Sequence, residues 1–138
     1  MNEPSRLHET RVELEVPFHD VDLLRVVWHG HYYKYFEVAR TKLLRSLGLD
    51  AGEVIGKRYL LMLSESSCRH LNPLKYGDRF EVAAWLQDVE NRICIDFEIE
   101  NLSSGQRCAR GRTVLVSLDL EGRLLMKTPR AILDRIRV

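Results

Sequence analysis

The 138-residue chain has room for one ordinary domain with a real hydrophobic core, not for two. Its 45% apolar and 30% charged residues are those of a soluble globular protein, and no apolar run reaches the roughly 18 residues that a membrane-spanning helix needs. With 21 basic and 20 acidic side chains the net charge is +1, which excludes a global field for nucleic acid or an anionic membrane and leaves only local anion recognition.

The polar start, Met1 to Glu9, lacks the apolar stretch of a secretory signal, so a cytoplasmic protein is expected. The first patterned segment is 11–17, where Val12, Leu14 and Val16 alternate with Arg11, Glu13 and Glu15 at the two-residue period of a half-buried strand ended by Pro17. From His31 to Leu47, Tyr32, Phe36, Ala39, Leu43 and Leu47 recur three and four apart, predicting an amphipathic helix with Gly48 as its C-terminal cap. After Tyr59 the pattern is that of sheet. Tyr59 to Leu71 is extended, and turns follow at Asn72-Pro73 and Gly77-Asp78. Phe80, Val82, Ala84 and Leu86 then alternate with more polar neighbours. The clearest strand holds Ile93, Ile95, Phe97 and Ile99, and the last runs from Cys108 to Leu120. The tail from Arg130 to Val138 is short and basic, with no firm assignment. One strand, one long helix and four further strands predict an α+β fold, an antiparallel five-stranded sheet wrapped around one central helix. One helix covers only one sheet face, so the other meets water or a second subunit, and a homodimer is the natural expectation.

Reactive groups are densest between the first strand and the helix, in Phe18-His19-Asp20-Val21-Asp22-Leu23-Leu24-Arg25-Val26-Val27-Trp28-His29-Gly30-His31. A loop ending at a helix start sets carboxylates beside open backbone N–H groups and the positive end of the helix dipole. An N–H near His29 or Gly30 can polarise a thioester oxygen while a carboxylate attacks the carbon or activates water. Both aspartates also suit a turn, where aspartate is common for local hydrogen bonding.

The D-V-D-L-L-R-V-V-W-H-G-H-Y-Y-K-Y-F-E-V-A-R stretch, Asp20 to Arg40, closely resembles the signature of the 4-hydroxybenzoyl-CoA thioesterase family, particularly its Tol-Pal-associated short-chain acyl-CoA thioesterase branch. Pro73 to Asp78 is similar to that family's P-x-x-x-G-D turn, so the resemblance covers nearly the whole chain. It implies one hotdog domain over 1–138 and hydrolysis of an acyl thioester of coenzyme A or acyl carrier protein (ACP) to free acid and thiol. By position the catalytic carboxylate is Asp22, as nucleophile or general base, and Asp20 is a loop organiser. His29 is the second catalytic residue. Arg25, Trp28, Gly30, Tyr32 and Ser67 are expected to bind substrate. Glu37 and Arg40 match a structural and dimer-contact element, and the resemblance implies a homodimer or a homotetramer.

Two departures stand out. Leu23-Leu24-Arg25 replaces the family's small residue and glycine, and Trp28 replaces the branch's usual tyrosine. A non-catalytic acyl-thioester-binding module and a hotdog 3-hydroxyacyl dehydratase are the alternatives. No cofactor is expected. No metal is expected either, because His29 and His31 are two apart and point to different sides, whereas ligands on one helical face stand three or four apart. Cys68, Cys94 and Cys108 lack paired spacing and suit buried apolar positions better than a disulfide framework. Arg107, Arg110 and Arg112 are either a solvated strand face or a contact for coenzyme phosphates or an acidic carrier surface.

Overall fold

The computed structural model describes residues 6–50 and 55–137; Met1 to Ser5, residues 51–54 and Val138 lie outside it, and with them the first part of the polar start. The chain forms β1 (Leu7–Glu15), a short 3-10 turn (Phe18–Asp20), α1 (His31–Ser46), β2 (Tyr59–His70), β3 (Arg79–Asp88), β4 (Ile93–Asn101), β5 (Arg107–Asp119) and α2 (Arg130–Ile136). The strands make one antiparallel sheet in the order β1-β3-β4-β5-β2, with β1 and β2 at the edges.

Alternation decides which face each strand buries. Phe80, Val82, Ala84 and Leu86 of β3 and Ile93, Ile95, Phe97 and Ile99 of β4 stand on one face and are buried. Against them packs the apolar stripe of α1, with Tyr32, Tyr35, Phe36, Ala39 and Leu43 all buried. The Phe36 ring stacks on Phe97 at 4.7 Å between centroids, an approach that needs Gly111 on β5: a Cβ there would lie 2.3 Å from the Phe36 ring. The end of α1 follows the expected cap. Gly48 adopts φ 70°, its N–H donates to Arg45 O, and the Leu49 N–H donates to Leu44 O at 2.9 Å while Leu49 itself is buried.

Two elements differ from the sequence expectation. β1 begins at Leu7, because its alternating burial extends back through His8 to Thr10 with little apolar signal to mark it. The tail forms a second helix, α2, which buries Ile132 and Ile136 and is held to β1 by His8 Nε2 donating to the Ile136 carbonyl at 2.6 Å. The opposite face of the sheet is polar, crossed by the Arg112–Asp96 ion pair and by Arg6, Arg107 and Arg110 around Glu98. Among the described residues no helix is long and apolar enough to cross a membrane.

Candidate active site

The segment between β1 and α1 folds as a small hairpin laid over the start of the helix. Val21 and Val27 pair across it, the Asp22 N–H donates to Val26 O at 3.0 Å, and the Arg25 N–H donates to Asp22 O at 2.9 Å. Arg25 closes the turn at φ 66°, a left-handed conformation that glycine takes without steric cost and arginine does not. This is the position where the sequence departs from the family pattern.

The two aspartates are in opposite environments. Asp20 is buried, and its carboxylate accepts Lys34 Nζ at 2.6 Å and the Tyr35 hydroxyl at 2.5 Å. Burial alone pushes this carboxyl up. The hydrogen bonds from Lys34 and Tyr35 and the Lys34 charge outweigh it, so Asp20 stays below the ordinary carboxylate range. Burial above all, and then the bond to Asp20, drives the Tyr35 hydroxyl far above its usual value. Asp20 therefore ties the loop to α1. Asp22 is half-buried and uses one oxygen, Oδ1, to accept the Leu24 N–H at 2.8 Å; its other oxygen meets no donor among the described residues.

At the helix start Gly30 is the N-terminal cap, with no side-chain cap bond. The His31 and Tyr32 amides close turns onto Trp28 O and His29 O, whereas the His29 and Gly30 amides meet no acceptor among the described residues. Trp28, half-exposed, lies against His29 at 5.0 Å and across Gly30, where a Cβ would be 2.2 Å from the indole. Tyr32 is buried, its hydroxyl pushed up to about 12 by burial, so it supports the site from beneath.

The fold also brings in a residue that the sequence does not single out. His70, at the end of β2, stands edge-on to Tyr32 at 4.6 Å and to His29 at 6.3 Å. Burial, with the nearby His29 second, holds it below the ordinary imidazole value. Its position follows from the pairing of His70 with Ala109 on β5, a non-local contact with no local signature. Trp28, His29, Gly30 and Tyr32 thus gather with His70 at the helix start, while Asp22 and Arg25 occupy the hairpin turn. Ser67 joins neither group. It faces the other side of the sheet, opposite Arg112.

A family description, the thioesterase-like superfamily, matches residues 16–136. The Synechocystis protein sll0410 is 25% identical over 91% of this chain and 76% of its own length. The chloroplastic acyl-acyl carrier protein thioesterase ATL3 of Arabidopsis thaliana is 32% identical over 83% of this chain, which spans only 60% of that protein. Among solved structures, the 1,4-dihydroxy-2-naphthoyl-CoA thioesterase Slr0204 of Synechocystis superposes with a TM-score of 0.81 at 26% identity, over 94% of this chain and 96% of that one.

Proposed function

Because the chain belongs to the thioesterase-like superfamily, we propose that it is a single-domain hotdog enzyme that hydrolyses an acyl thioester of coenzyme A or ACP, with Asp22 as its catalytic carboxylate. The observation that carries this reading is the division of labour between the aspartates. Asp20 is occupied by Lys34 and Tyr35, and Asp22 keeps one carboxylate oxygen open on the loop that leads to the two open amides of His29 and Gly30.

Asp22 attacks the thioester carbon directly, giving a mixed anhydride that water then cleaves, or it takes a proton from a water whose oxygen attacks the same carbon. On either route the carbon–sulfur bond breaks, the thiolate leaves with the bonding pair and then takes up a proton, and the oxygen of water ends in the free acid. The His29 and Gly30 amides, at the positive end of α1, donate to the oxygen on which charge develops. Trp28 and Arg25 flank the acyl thioester, Tyr32 supports the floor, and His29 orients substrate or water. Ser67, on the far face of the sheet, is left out of this catalytic group. The Arabidopsis and Synechocystis relatives named above, one acting on carrier-protein thioesters and one on a coenzyme A thioester, support the substrate class at that breadth. The motif from Asp20 to Arg40 alone supports placement beside the Tol-Pal-associated branch, and the sheet face that α1 leaves uncovered supports a homo-oligomer.

Purified protein assayed for thiol release against short, medium, long and aromatic acyl-CoAs, then acyl-ACPs, tests the proposal. Asp22→Asn should lower turnover by about a hundredfold or more with the fold unchanged by circular dichroism. Turnover retained in that variant overturns the assignment of Asp22, and silence of the wild type on every thioester overturns the activity.

A further inference from the structure

The polar face of the sheet carries a groove of about 470 Å³ in which four arginines, Arg6, Arg69, Arg110 and Arg112, meet two carboxylates. The two carboxylates do not satisfy this charge, although Arg6 also bonds Glu9 at 3.2 Å. Asp96 is taken by Arg112, which it binds through both oxygens at 2.6 and 3.1 Å. Glu98 is shared by Arg6, Arg107 and Arg110 at 3.3 to 3.8 Å through a single oxygen, so none of the three has the two-point geometry that makes a guanidinium–carboxylate pair strong.

Arg69 has no ion-pair partner among the described residues, and the strand register sets it directly opposite Arg110. Like charges paired across neighbouring strands repel, so the sheet carries a local cost here that a bound anion removes. Beside them Ser67, opposite Arg112, presents a hydroxyl with no partner among the described residues. Two forked donors and a hydroxyl around one gap are the recognition chemistry of a phosphate group.

The groove also lies where a thioester's carrier would pass. Arg69 immediately precedes His70, whose ring points to the other face of the sheet and reaches His29 at the start of α1. A ligand held at Arg69 on one face therefore has only the end of β2 to round before it reaches the catalytic loop.

We propose that this groove binds the phosphate groups of coenzyme A, with Arg69 and Arg110 as the paired ligands and the Ser67 hydroxyl as a third donor. The identity of the ligand rests on the thioesterase reading; the presence of an anion site does not. Calorimetric titration of coenzyme A into the Asp22→Asn protein separates the two, because binding is read without turnover. Adding Arg69→Gln or Arg110→Gln in that background should weaken coenzyme A about tenfold each and leave pantetheine, which lacks the phosphates, unaffected. The melting temperature of the unliganded protein should hold or rise, since the substitutions remove repulsion. No binding of coenzyme A, binding indifferent to both arginines, or arginine-dependent binding only of a phosphopantetheinylated carrier protein each overturns the proposal. So does a fall in unliganded stability with equal loss of pantetheine, which would give the arginines a structural role. Silence of the wild type on every thioester overturns the hydrolase reading while these titrations stand.

Discussion

Asp20 and Asp22 are separated by one residue yet stand in opposite environments, and what Asp20 contributes is open to titration. Because the folded-state pKa of Asp20 is depressed, it contributes stability above the ordinary carboxylate value of about 4, and that contribution is lost as pH falls through the lowered value. Asp20→Asn removes the charge that Lys34 and Tyr35 both bind and should cost about 2 kcal/mol near neutral pH. Melting curves from pH 7 down to pH 2 should show the gap between wild type and Asp20→Asn closing only at the acid end; a constant gap would mean that Asp20 matters by shape alone. Arg25 makes a second prediction. A non-glycine residue at φ 66° costs about 1 kcal/mol or more, so Arg25→Gly should raise the denaturant midpoint. If stability falls instead, the arginine side chain has a compensating role. The loop that carries Asp22 and the helix start beside His29 were legible in the sequence, because a segment dense in reactive groups runs into an apolar period of three and four. His70 was not, because strand pairing alone carries it to His29.

Most of the sheet and the long helix are legible in the sequence, since their apolar residues repeat at two or at three-and-four over nine or more positions. The elements that escaped are those whose signal is short. α2 has seven residues and only two buried isoleucines four apart, too few to distinguish a helix from a basic tail, and its helicity depends on the cleft into which those side chains fit. Packing between α1 and β5 was equally hidden, because a glycine inside a strand reads as a weakness until its neighbour is known. Gly111 is where the helix approaches the sheet, with Phe36 filling the space that a Cβ would take. Gly111→Ala should therefore cost about 1–3 kcal/mol through overpacking, and Phe36→Leu in the same chain should recover part of that loss. Urea unfolding of the two single variants and the double tests this. Simple additivity of the two losses would show that the rings and the glycine do not compete for the same volume.

The two edges of the sheet are built differently, and that asymmetry bears on assembly. β1 ends the sheet in charge: Arg11 bonds to Glu9 and Glu81, and Arg79 pairs with Glu13, a pattern that discourages strand addition. β2 ends it in exposed apolar side chains, with Leu60, Met62 and Leu63 at 37%, 47% and 49% exposure on a strand of twelve residues. Leu23 and Leu24, at the tip of the hairpin between β1 and α1, are more open still, at 101% and 80%. Water-exposed apolar groups in this number are unfavourable for a monomer, and an unpaired strand supplies the backbone donors and acceptors to join a second sheet. A two-fold pairing of β2 with the β2 of a second copy satisfies both at once, since a symmetric contact covers the same patch on each side. Sedimentation should accordingly find a dimer. Met62→Lys, which places a charge on that edge, should shift it toward monomer with its far-ultraviolet spectrum intact. A wild type that sediments as a monomer at micromolar concentration would overturn the pairing through β2, and a Met62→Lys dimer of unchanged strength would move the contact to another face.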